Sequence, residues 1–156
     1  PATVCGYSPR MRFDISVNAL TISGLLKNKI IVHGGSQVRP NIHIDDITDL
    51  YVYLLNVNKK YAGIYNAGFE NMSIKKVSEI ISNKLKCKIQ IKKNLSDPRS
   101  YRLDSSKLLK IGFKPKKKIS NAIEEIIQMY KKGILVAVHV NKGTITSSPF
   151  FKPARI

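Results

Sequence analysis

Six arginines stand among 21 lysines in this chain, and two of them occupy places suited to gripping phosphate. Arg39 directly precedes Pro40 and a β-rich stretch, and Arg99 directly follows Pro98 in the segment leading to Tyr101. A guanidinium is a planar fork that meets phosphate oxygens two at a time, and a neighbouring proline narrows what its loop can sample. Two such forks on stiffened loops could hold a diphosphate. Either could instead pair with a carboxylate such as Asp45, Asp97 or Asp104, and spacing alone does not choose between the two.

Other chemistries lack their signatures. No Gly-x-Gly-x-x-Gly follows a strand and no phosphate-loop lysine pattern is present, so Gly34-Gly35 reads as a turn. There is no Gly-x-Ser-x-Gly elbow, and nothing beside Cys5 suggests an activated thiol. His33, His43 and His139 show no ligand spacing and read as packing or surface residues, so no metal is expected. Cys5 and Cys87 form no Cys-x-x-Cys, which disfavours a disulfide scaffold or a zinc site.

The elements that must position the arginines follow from periodicity. The segment ending at Val4 reads as the end of a buried strand, and Cys5 to Arg10 as a loop. Ile15, Val17, Leu20, Ile22, Leu25 and Leu26 suggest a helix starting near Asp14. Lys29 to His33 is a β-branched run, Gly34-Gly35-Ser36 a turn, and Asn41 to Ile44 alternates as a strand. Asp45 is placed to cap a helix carrying Ile47, Leu50, Tyr51, Leu54 and Leu55. Gly63 to Gly68 reads as a short strand, and Ser73 as the cap of a helix with Ile74, Val77, Ile80, Ile81 and Leu85 inside. Ile89 and Ile91 mark an exposed strand. Asp104 is placed to cap a short helix that Gly112 stops, and a last helix runs from Ser120 through Tyr130. The order is mixed α/β without internal repeats.

The chain has 156 residues and a formal charge of +17. That length fits one domain, and 43% hydrophobic residues in short runs can build a core, which argues against disorder. A basic nucleic-acid-binding module is the alternative that the charge raises, but the lysines are scattered and Lys116-Lys117-Lys118 is their longest run. No apolar stretch is long enough to span a bilayer and no secretory leader pattern opens the sequence, so a cytoplasmic setting without membrane partners is expected. A chain opening on Pro1, in what reads as a strand end, is expected to be a piece of something longer.

In series, these segments resemble the C-terminal half of the extended short-chain dehydrogenase/reductases, the NAD-dependent nucleotide-sugar epimerases and dehydratases. Pro1 to Arg10 is similar to R-x-x-x-V-Y-G-P-x-x-R, and Gly34 to Asp46, GGSQVRPNIHIDD, to G-x-G-x-Q-x-R-x-(F/Y)-x-H-V-x-D. GIYNAG at Gly63 to Gly68 is similar to G-x-x-Y-N-x-G. DPRSYRLDSSK at Asp97 to Lys107, followed by LLKIGFKP, resembles D-x-R-x-Y-x-x-D-x-S-K and L-G-(F/W)-x-P. Each motif alone is weak, whereas four in the family's order and spacing are strong. The likeness covers residues 1–133 and leaves 134–156 unassigned.

The resemblance implies an α/β fold: the end of a Rossmann-type sheet with its small mixed α/β substrate-binding domain. It implies an NAD(P)-dependent enzyme, homodimeric at full length, acting on a nucleotide-sugar. Arg39 and Arg99 would contact the diphosphate side of that substrate, and Val17-Asn18 would add a polar contact to it. Pro1, Ala2 and Thr3 would border the nicotinamide and sugar. Thr3 stands where many members carry Asn, and Cys5 where Tyr is usual. In some members the phosphate arginine falls earlier, near Lys93. The family's Gly-rich loop and catalytic Y-x-x-x-K have no counterpart in these residues. No catalytic residue is therefore assigned, and this portion is expected to be inactive alone, with NAD(P) held mainly by an N-terminal half.

Overall fold

The computed structural model describes residues 1–92 and 98–135. Lys93 and Asp97, His139, and the unassigned stretch from 136 onward lie outside the described residues.

Among the described residues, five strands and five α-helices follow one another as β1 (Thr3–Cys5), α1 (Ser16–Lys27), β2 (Lys29–His33), β3 (Val38–His43), α2 (Ile44–Asn56), β4 (Glu70–Ser73), α3 (Ile74–Leu85), β5 (Lys88–Lys92), α4 (Ser106–Lys110) and α5 (Ile119–Lys131). They form two small sheets. In the first, of order β1-β3-β4, β1 runs parallel to β3 with Thr3 opposite Asn41, and β4 runs antiparallel. In the second, β2 and β5 pair in parallel, Ile30 against Ile89.

Consecutive strands β2 and β3 thus belong to different sheets, and the turn between them makes the switch. Gly34 and Gly35 take positive φ, and a Cβ on Gly35 would lie 3.1 Å from Val32. Gln37 fastens the turn: its Oε1 accepts from the Gly35 N–H at 2.6 Å and its Nε2 donates to the His33 carbonyl at 2.7 Å. The start of α3 docks on it, the Lys75 N–H donating to the Gly35 carbonyl.

The main core is where helical periodicity places it. Val17 of α1, Val77 and Ile81 of α3, and Ile119, Ala122 and Ile123 of α5 pack with Ile30 and Val32 of β2. A second cluster joins Ile42, Ile47 and Leu50 to Leu108 and Phe113. A third gathers Met11, Ile22, Ile126 and Leu135, the last from the otherwise unassigned tail. Ser73 caps α3 as expected, accepting the Lys76 N–H.

Three expectations need correction. The strand is Glu70–Ser73 and not Gly63 to Gly68. The earlier stretch has no regular structure; its Ala67 carbonyl accepts from the Ala2 N–H, and the Gly68 main chain bonds to Ser105 Oγ. The cap of α2 is His43 and not Asp45: the imidazole Nδ1 accepts the Asp45 N–H at 3.1 Å. The strand read as Asn41 to Ile44 is Val38–His43, and Pro40 to His43 are buried consecutively. Covered on both faces, it carries no alternation.

Candidate functional site

A segment with no regular structure places Arg99. Residues 98–105 run along β3 and β4, fastened by polar bonds. The Val38 N–H donates to Ser100 Oγ at 3.0 Å, and the Tyr101 N–H to the Val38 carbonyl at 3.3 Å. Asn71 exchanges two bonds with the Leu103 main chain, and Ser105 Oγ exchanges two with that of Gly68. Arg39, entering from β3, then meets the segment directly: its Nη1 donates to the carbonyls of Val38 and Arg99, and its guanidinium lies 5.3 Å from the Tyr101 ring centroid.

Both arginines line a cleft of about 740 Å³. Pro1 and Ala2, with Thr3 at the start of β1, line it too, so five of the seven residues singled out from sequence converge there. The side chains of Val17 and Asn18 do not. Val17 is fully buried in the main core. The Asn18 amide accepts from the Gly6 N–H at 3.2 Å and donates to the Arg12 carbonyl at 2.9 Å, pinning the loop before α1.

The same two residues nevertheless bear on the cleft through their main chain. Ile15, Ser16, Ala19 and Leu20 line it, which brings the N-terminus of α1 to its wall. The first bond of this helix runs from the Ala19 N–H to the Ile15 carbonyl, so the N–H groups of Ser16, Val17 and Asn18 precede the ladder. Its cap, Ile15, has no side-chain acceptor, and no acid stands in the first turn. Such a terminus carries partial positive charge and favours an anion.

One pair escaped the sequence reading. Arg12 and Asp14 also line the cleft, bound fork to fork: Nε donates to Oδ1 at 2.9 Å and Nη2 to Oδ2. Arg12 holds the Asp14 carboxyl below its ordinary range. A loop has no periodicity, so only the two-residue spacing could have flagged them. Of the carboxylates weighed as partners for Arg39 or Arg99, Asp104 accepts the Ser106 N–H and Asp45 sits 3.6 Å from Lys117 Nζ.

Away from the cleft, His43, Asp45 and Glu125 gather within 4.8 Å, a set of ligand types the linear spacing did not suggest. Lys117 Nζ already supplies a cation there, 3.1 Å from Glu125. Cys5 is buried, and burial first, then Glu70, push its thiol up to about 12, far from a thiolate nucleophile. Among the described residues no helix is long and apolar enough to cross a membrane.

No family model matches the chain. Among curated proteins, GDP-L-fucose synthase 1 of Arabidopsis thaliana is 26% identical over 114 residues, covering 68% of this chain and 34% of the relative. A probable GDP-L-fucose synthase 1 of Oryza sativa subsp. japonica is 27% identical over 117 residues, with 70% and 34% covered. The chain spans about a third of the length of these relatives. Among solved structures, an NAD-dependent NDP-hexosamine 5,6-dehydratase of tunicamycin biosynthesis superposes with a TM-score of 0.70 at 21% identity, over 84% of this chain and 44% of that one. The UDP-glucuronic acid 4-epimerase of Bacillus cereus, in complex with UDP-glucuronic acid and NAD, gives 0.65 at 26% identity, over 83% and 44%.

Proposed function

We propose that this chain is the nucleotide-sugar-binding portion of an NAD(P)-dependent sugar epimerase or dehydratase of the extended short-chain dehydrogenase/reductases. The observation that carries this reading is the meeting of Arg39 and Arg99, 60 positions apart in sequence, in the cleft that Pro1 to Thr3 and the start of α1 also line. The diphosphate lies between the two guanidinium groups and the first N–H groups of α1. The contact expected from Val17 and Asn18 comes from their main chain, because their side chains serve the fold.

The sugar then extends toward Pro1, Ala2 and Thr3. NAD(P) would accept and return a hydride at a sugar carbon. The described residues offer no Gly-rich cradle for a dinucleotide, so that cofactor is held mainly outside this chain, and Pro1 to Thr3 border it. The work of these residues is orientation. Charge-assisted bonds to the diphosphate, remote from the reacting carbon, fix the sugar in place and convert binding energy into alignment.

Titrating the full-length polypeptide with UDP-, GDP- and dTDP-sugars tests this reading. The double variant Arg39→Ala, Arg99→Ala is expected to lose about 100-fold in affinity, from charged hydrogen bonds of about 1.5 kcal/mol or more each. Wild-type affinity in a double variant whose circular dichroism is unchanged overturns it.

A further inference from the structure

Resting on the reading that this cleft holds a nucleotide-sugar, we infer that its sugar end selects an uncharged hexose over a uronic acid, and that Asp14 sets the choice. Pro1, Val4 and Arg12 line both the main cleft and an adjoining cavity of about 330 Å³. Arg12 therefore stands at the end marked by the start of β1, where the sugar is placed. The hydrogen bond from Asn18 Nδ2 to its carbonyl anchors that position.

A lone arginine here would be a ready receptor for a sugar carboxylate. It is not alone. Asp14 takes the Nε and Nη2 edge of the fork, so the two charges cancel within hydrogen-bonding distance. The side chains are 69% and 51% exposed, which places the pair at the mouth of the cleft and leaves it little part in stability. Thr3 lines the same cleft and supplies a neutral hydroxyl nearby. Hydroxyls match hydroxyls. A uronate would instead meet a cation already neutralised, with the Asp14 charge beside it, and like charges set together are a means of rejecting the wrong partner.

The full-length polypeptide is titrated with matched pairs, UDP-glucose against UDP-glucuronic acid and GDP-mannose against GDP-mannuronic acid, with UDP and GDP as references. The wild type is expected to bind the neutral member at least about tenfold more tightly. Asp14→Asn, which keeps the shape and releases the Arg12 charge, is expected to bring that ratio near unity by tightening the uronate. Arg12→Gln is expected to widen it. A wild type that binds both members equally, or a ratio unmoved in Asp14→Asn, overturns the inference while leaving the diphosphate site standing. Failure of the nucleotide-sugars and of UDP and GDP alike to bind overturns the underlying reading, and this inference with it.

Discussion

The helical layer of α1, α3 and α5 and the irregular segment 98–105 are held by different forces. The layer is apolar: Ile81, Ile123 and Ile126 are wholly buried, and α1 approaches α3 so closely that a Cβ on Gly24 would lie 2.8 Å from Leu85. The segment that carries Arg99 leaves Arg99, Ser100 and Tyr101 exposed and is tied by directional bonds from Val38, Asn71 and Gly68. Hydrophobic burial is strong but non-directional, whereas hydrogen bonds fix a register. The scaffold is therefore built for stability, and the segment for placement.

Substitutions can separate the two. The largest stability loss is expected for Ile126→Ala, about 2–5 kcal/mol from lost burial and the cavity left behind, read by urea unfolding. Ligand affinity of the folded variant should stay at the wild-type level. Gly68→Ala comes next, because its Cβ would stand 2.6 Å from the Ala2 Cβ and 3.3 Å from Leu103. Main chain must move, at about 1–3 kcal/mol, and affinity should fall because Ala2 lines the cleft. Asn71→Ala should cost about 1 kcal/mol by leaving both main-chain groups of Leu103 without their partner, with the loss concentrated in binding. An Asn71→Ala protein that binds normally would dissolve the distinction.

The smallest effect at neutral pH concerns Cys5. Its thiol is raised to about 12 from an ordinary 9.0, so between those values the folded state keeps a proton that the unfolded state has lost. Its contribution to stability is intact below pH 9 and declines as pH rises toward 12. A Cys5→Ser protein should show a flatter alkaline unfolding curve, and in the wild type maleimide should label Cys5 only at the rate of unfolding.

Strong periodicity made α3 and α5 legible, and Ser73 announced its cap by residue type. Periodicity failed where burial has no alternation, as in β3, and where a glycine-bounded stretch joins no sheet, as at Gly63 to Gly68. His43 was invisible as a cap because imidazole is an uncommon capping acceptor beside the Asp45 that follows it. Within the cleft, Arg39 and Arg99 were legible because prolines flank both. Arg12 with Asp14 was not, because its significance lies in facing the same space as β1. The His43, Asp45 and Glu125 cluster depends on α5 packing against the end of β3, where Glu125 meets His43, which no local spacing encodes.

Gln37 acts as a spacer between the two sheets. On one flank its amide holds the strand that supplies Ile31, Val32 and His33 to the cleft, and on the other begins the strand that supplies Arg39. The aperture between those walls is thereby tied to a corner that belongs to neither sheet, held by the Gln37 amide and by the docking of Ile74 and Lys75 on it. A shorter or longer residue at that corner would retune the width available to a nucleotide while leaving Arg39 and Arg99 unchanged.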